Sequence, residues 1–141
     1  MNKRAGAALG WALTAGIALV GCSPAAPATP GLTLEQTAWR AVGIETLVPV
    51  GGSEPTISFA SGRLRGSGGC NTYSGTYALT GGSFDADSIT ATLRECEDRV
   101  SELERMFLRV LVSADTVTID TEAGLVLAGP GGTVRFLPDA R

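Results

Sequence analysis

Histidine is absent from the chain, and lysine occurs once, at Lys3. Without them the usual routes to an activated nucleophile, Ser with His, Cys with His or Ser with Lys, have no base. Only carboxylate pairs remain for acid–base work, and Asp85 and Asp87 stand two residues apart rather than across a visible cleft. A non-enzyme is the expectation. Cysteine is scarce as well, with Cys22, Cys70 and Cys96 the full set. Three thiols and no imidazole do not make a zinc site, so no metal and no cofactor is expected. Charged residues are few, at 18%. Nothing clusters cations in the way that nucleic-acid binding requires, and nucleic acid is set aside as a partner. What is plentiful is glycine, with 19 residues, in a chain of 141 that is 44% hydrophobic. That balance suits one domain with a real core, short strands and many turns, and argues against an all-α fold.

The first 22 residues have a layout of their own. Lys3 and Arg4 make a basic start, residues 5–20 are uncharged and mostly apolar, and the run ends in Leu19-Val20-Gly21-Cys22. The apolar stretch falls short of the ~20 residues that a spanning helix needs. It is the pattern of a secretory leader, and its end resembles the bacterial lipoprotein signal. That resemblance implies a signal peptide over residues 1–21, cleavage before Cys22, a diacylglycerol on its sulfur and acylation of the new amine. Several acyl chains on one residue exceed what stable anchoring takes, so Cys22 is expected to tie the protein to a bacterial membrane. The domain would then lie on the extracytoplasmic side. Loss of the leader would leave nine basic against fourteen acidic side chains and no lysine. Residues 22–31 form a Pro/Ala-rich linker, with Pro24, Pro27 and Pro30, that reads as an extended, semi-rigid spacer.

The domain itself, residues 32–141, is organised around Gly66-Ser67-Gly68-Gly69-Cys70-Asn71. Three glycines clear the backbone for a tight corner, and Asn71 tolerates the same unusual angles. Beyond it Tyr73, Gly75, Tyr77 and Leu79 share one face of a strand, with Thr72, Ser74, Thr76 and Ala78 on the other. Upstream, residues 36–44 read as a strand anchored by Trp39, residues 56–60 alternate as a second, and Ser61-Gly62 is a two-residue hairpin turn. Arg63 and Arg65 share one face of the next segment. The pair could hold an anion, but a solvated strand edge is the simpler reading.

After a turn at residues 80–83, Asp85 and Asp87 share a face. They lack the glycine and the bidentate acid of a calcium loop and read as solvated turn acids. Residues 89–94 are expected to continue as an extended segment that ends at Glu95-Cys96. A helix over residues 97–112 presents Val100, Leu103, Met106, Phe107, Val110 and Leu111 on one side, with Ser101, Glu102, Glu104, Arg105 and Arg109 opposite. Three short strands follow, over residues 116–121, 125–128 and 133–137, and should pair antiparallel. Cys70 and Cys96 are the two thiols left in an exported domain, where thiols usually pair. A metal pair or a reactive thiol are the rival readings, and the metal lacks partners.

These features together resemble the META domain family, which includes HslJ-like heat-inducible lipoproteins. The resemblance rests on Trp39, on residues 55–59, on the block Gly69-Cys70-Asn71-Thr72-Tyr73-Ser74-Gly75-Thr76-Tyr77, on Thr92 with Cys96, and on Glu104, Phe107 and Leu111, closing with a hairpin over residues 125–136. It spans nearly all of residues 36–138. Thr72 and Arg94 depart from the residues common in the family. The resemblance implies a mainly β (α+β) fold, an antiparallel, partly open β-barrel or roll with one amphipathic α-helix packed on it. It also implies a cell-envelope setting, with links to heat stress and antibiotic tolerance in some members, and it does not imply a catalytic site. The functional expectation is a lipid-anchored accessory module that binds another envelope protein. The alternatives are a carrier of a small apolar ligand and an inhibitor of a secreted hydrolase that presents residues 49–54.

Overall fold

The computed structural model describes residues 31–120 and 124–140. The leader, Cys22 and the spacer up to Pro30 lie outside the described residues, as do residues 121–123 of the expected turn. Eight strands and one helix follow in the order β1 (Thr37–Ile44), β2 (Thr56–Ala60), β3 (Arg63–Ser67), β4 (Thr72–Thr80), β5 (Ser83–Ala91), α1 (Asp98–Ser113), β6 (Thr116–Asp120), β7 (Gly124–Gly129) and β8 (Gly132–Pro138). Each strand pairs antiparallel with the next, and β8 returns to β1 to close a barrel. The expected architecture is present, with one refinement. The ring of strands is complete, and its open character is confined to the seam between β5 and β6, which pair only at Ser83 and Thr116.

Local chemistry explains the turns. Ser61 and Gly62 sit at φ 54° and 69°, the double positive φ that a two-residue hairpin needs to match strand twist. Gly66 passes so close to β2 that a Cβ there would lie 1.9 Å from the Thr56 carbonyl oxygen. Gly75 lies at the irregularity in β4–β5 pairing, where a Cβ would meet Ile89 Cδ1 at 2.4 Å. Period-two alternation then sends Ile57, Phe59, Leu64, Tyr73, Phe84, Val117, Leu125, Leu127, Val134 and Phe136 into the barrel, all buried.

Antiparallel order gives the barrel two unlike rims. The β1–β2, β3–β4 and β7–β8 connections share one rim with α1, which joins β5 to β6. The helix runs from the β3–β4 corner, where Cys96 is bonded to Cys70, to the β7–β8 turn, where Gly131 N donates to Ser113 Oγ at 3.0 Å. Its buried side, Leu103, Phe107, Val110 and Leu111, is packed into the core, and the Phe107 ring meets those of Tyr73 and Phe136. The opposite rim carries the β2–β3 and β4–β5 turns and the entry to β1. There Leu34 is buried, and Phe59, Tyr77 and Phe84 form an aromatic cluster with centroids 4.9–6.3 Å apart.

Four expectations need correction. β3 is flanked by β2 and β4 on either side, so Arg63 and Arg65 stand on an interior strand rather than a sheet edge. Asp85 and Asp87 lie within β5, not in a turn. The extended segment leaves the sheet at Ala91, and Leu93 is 97% exposed, because the chain bends there toward the corner, where the Arg94 amide bonds Asn71. Glu104, expected on the outer face of the helix, is buried, because its carboxylate turns inward to the backbone amides of Cys70 and Asn71.

Candidate functional site

The glycine corner and the first turns of α1 meet around one carboxylate. Glu104 Oε2 accepts from the Asn71 amide at 2.6 Å and the Cys70 amide at 3.2 Å, while Oε1 accepts from Asn71 Nδ2 at 2.7 Å. A buried charge is tolerated only with such a set of donors. Gly68 makes the room, since a Cβ there would lie 2.6 Å from Oε2. Gly69, at φ +112°, turns the chain so that the next two amides face the helix.

Asn71 also faces the other way. Its Oδ1 accepts from the Arg94 amide at 2.7 Å and from Thr92 Oγ1 at 2.9 Å, so one side chain bridges the exit of β5 to the helix. The Arg94 guanidinium donates to the Cys70 carbonyl oxygen. The disulfide between Cys70 and Cys96, with Cα atoms 6.0 Å apart, encloses the same knot. The remaining block residues have equally local tasks. Tyr73 donates from its hydroxyl to the Thr56 carbonyl at 2.7 Å, and Trp39 Nε1 donates to Thr37 Oγ1 at 2.8 Å.

A second carboxylate does similar work at the far rim, in water. Glu35 accepts from the Ser61 amide at 2.7 Å, the Gly62 amide at 3.0 Å and the Tyr77 hydroxyl. The Tyr77 bond and then the two amides hold its carboxyl below the ordinary 4.5. Burial first, and Glu35 second, push the Tyr77 phenol up to about 12. Burial alone raises that of Tyr73 well above 10.

The open space beside the corner is a cleft of about 580 Å³ between residues 46–53 and the start of α1. Leu47, Val48, Val50, Val100 and Leu103 supply apolar lining, and Glu97, Arg99 and Glu102 supply charge. Val48 is 75% exposed and Val50 47%. The segment that offers them is braced, since Ser53 N donates to the Val50 carbonyl at 3.0 Å, Gly52 N to Glu54 Oε2 at 2.8 Å, and the Ala41 amide to the Pro55 carbonyl at 2.7 Å. Among the described residues no group of three or more His, Cys, Asp or Glu could hold a metal ion, and Asp85 and Asp87 are both exposed on β5. Nor, among the described residues, is any helix long and apolar enough to cross a membrane.

Comparison with known proteins matches the META domain model to residues 32–141. The chain belongs to the META domain family. Nothing among curated proteins matches it. Two solved structures share the META fold seen here. An NMR structure of a protein from Burkholderia xenovorans is similar over 84% of this chain and all of its own, with a TM-score of 0.66 and 21% identity. A second NMR structure aligns over 74% of this chain and 90% of its own, with a TM-score of 0.63 and 24% identity.

Within this META domain the sequence block Gly69, Asn71, Tyr73, Gly75 and Tyr77 is brought together as architecture. Each residue sets a turn, a bridge or a buried contact, and none lines the cleft. Three positions at this end of the barrel, Glu104, Val48 and Val50, differ in how far the sequence marks them. Glu104 has a visible signal, because Val100, Leu103, Glu104, Phe107 and Leu111 follow the i, i+3, i+4, i+7 spacing of a buried stripe, with a charge in its middle. The valines at 48 and 50 carry no such signal, since an apolar loop residue looks the same whether covered or exposed.

Proposed function

We propose that this META domain is a non-catalytic, lipid-anchored module of the bacterial cell envelope that grips a partner protein with the cleft beside its helix. The observation that carries the reading is the pair of outward valines, Val48 and Val50, on a braced segment next to Val100 and Leu103. Apolar side chains held out of a rigid frame and rimmed by charge are the usual makings of a protein contact. Their position supports the reading too. The cleft is on the rim that bears α1, whereas the chain enters β1 at the other rim, so the segment leading back toward Cys22 departs from the rim opposite the cleft. A spacer of residues 23–31, at ~3 Å per residue if extended, adds roughly 28 Å of reach. A stress role belongs to the same proposal.

A carrier of a small apolar ligand finds less support. The interior is filled by Phe59, Phe84, Phe107, Phe136 and their aliphatic neighbours, all at 2% exposure or less. The inhibitor reading is kept as a special case of the contact, with the partner a hydrolase, because residues 49–53 overlap the cleft lining.

The test is a photo-crosslinking amino acid at position 48 of the full-length, cell-expressed protein, with position 42 as an exposed control away from the cleft. A discrete adduct with an envelope protein from position 48 alone is expected. Equal adducts from both positions, or none, would end the reading. Separately, intact mass of the membrane-extracted protein should show a diacyl or triacyl addition that Cys22→Ala removes; a native form lacking it would remove the anchor.

A further inference from the structure

The outer face of β2–β5 is rich in hydroxyl side chains. Strand register sets Ser58, Arg65, Ser74 and Thr90 side by side in one cross-strand row. The next row holds Ala60, Arg63, Thr76 and Asp87. On the other side Ser67 stands opposite Thr72, with Thr92 beyond it bonded to the Thr72 amide. A shallow trough of about 650 Å³ follows the central row, lined by Ser58, Arg65, Thr72, Ser74, Thr90 and Thr92. Ala60 is the one apolar side chain in the two complete rows and Ala91 stands at the margin of the trough, and neither is the large apolar anchor that a protein contact uses.

The hydroxyls are oriented. Ser58 Oγ donates to the Arg65 carbonyl at 3.2 Å, Thr76 Oγ1 to the Asp87 carbonyl at 3.3 Å, Thr90 Oγ1 to the Ser74 carbonyl at 3.5 Å, and Thr92 Oγ1 to Asn71. With their protons turned into the sheet, the Ser58, Thr76 and Thr90 oxygens offer lone pairs outward, while Thr92 Oγ1 already accepts from the Thr72 amide. Arg63 and Arg65 are exposed, stand two residues apart on β3, and have no carboxylate partner among the described residues. Asp87 is the acid of the two rows and sits at the outer end of the lower one, where its Oδ1 already accepts from the Ser88 amide at 2.7 Å; Asp85 lies beyond it on β5, two residues further from the arginine rows. The face therefore presents acceptors in rows around two forked cation donors, on a chain whose net charge is −3.

We propose that this face binds a carboxylated polysaccharide strand. Sugar hydroxyls are the donors that rows of lone pairs require, and carboxylates at intervals along the chain are the groups that guanidinium forks hold best. Two arginines on an acidic protein are too few to hold a polyphosphate backbone by counterion release. The face lies outside the cleft and does not depend on the protein contact proposed there.

The experiment is affinity electrophoresis of the detergent-extracted, full-length protein through gels containing polygalacturonate, neutral dextran or poly-glutamate. Polygalacturonate is expected to retard the protein, dextran not to, and poly-glutamate to do so at least several-fold less. Arg65→Ala should weaken the polygalacturonate retardation about tenfold with an unchanged melting temperature, and Ser74→Ala with Thr90→Ala should weaken it several-fold. Val48→Asp should leave it intact, which separates this face from the cleft. Equal retardation by poly-glutamate would reduce the face to a charge effect and overturn the sugar. No retardation at low salt, or an Arg65→Ala protein that behaves as the parent, would overturn the site.

Discussion

Two glutamates, one at each rim, solve the same problem with nearly the same bonds. Glu104 accepts from two consecutive backbone amides, Cys70 and Asn71, and from one side-chain donor. Glu35 accepts from the amides of Ser61 and Gly62 and from the hydroxyl of Tyr77. The difference is water. Glu104 is 8% exposed, so its donors have no substitute if it goes, whereas Glu35 is exposed and solvent can take its place at each bond. Equal hydrogen-bond lists therefore predict unequal consequences, and burial decides which glutamate the fold depends on.

The sharpest way to break that comparison is Glu104→Ala. It strands the Cys70 and Asn71 amides in a buried corner and takes the shorter acceptor from Asn71 Nδ2, and should cost about 3–5 kcal/mol, the scale for removing one partner of a buried charged network. Urea unfolding of the purified protein measures it, and a loss below about 1 kcal/mol would mean that water enters the corner freely. Next in size is Cys70→Ser with Cys96→Ser. The bridge closes a separation of 26 residues, for which chain entropy gives about 3.5 kcal/mol. The double variant tells how far the same corner depends on its covalent link.

The smallest effect belongs to Glu35→Gln, which should shift the unfolding midpoint least of the three. Titration makes it readable all the same. The folded Glu35 carboxyl titrates below 4.5, so what it contributes is complete above that value and fades as pH falls through the folded one. Tyr77 runs in the opposite sense. Its phenol is raised from 10 to about 12, so its contribution is complete below 10 and disappears as pH climbs through about 12. The chain has two tyrosines, and both are raised. Tyrosinate absorbance should thus be silent near pH 10 in the folded protein. In Glu35→Gln the Tyr77 step should move down from about 12 yet stay above 10, because burial is its larger cause. A Tyr77 step that does not move would mean that Glu35 does not hold the phenol, and the likeness of the two glutamates would fail.

The barrel was legible where chemistry is periodic. Alternation placed β2 and the inward set of β4, the glycines at 62, 81 and 82 placed the turns at residues 61–62 and 81–82, and helical spacing placed α1 to within one residue of Asp98–Ser113. The disulfide followed from counting thiols. What escaped depends on neighbours that a lone sequence does not pair. β3 is interior because β2 and β4 both claim it, and five short residues carry no mark of that. Glu104 interrupts an apolar stripe, and charge alone suggested solvent. Its partners are 33 and 34 residues away, so only the folded corner explains it. The cleft valines were invisible for the converse reason, being apolar residues in a loop that the fold leaves uncovered.

The closed ring carries one more consequence. β8 ends against the beginning of β1, with Pro138 opposite Trp39 and the Asp139 amide bonded to the Ala38 carbonyl at 2.9 Å. No strand in such a circle is intrinsically the first. A short peptide splicing residue 140 to residue 31, with new ends cut between Gly81 and Gly82, would keep the ladder of every strand pair. Circular permutants should therefore still fold, with a tether moved to whichever hairpin is opened.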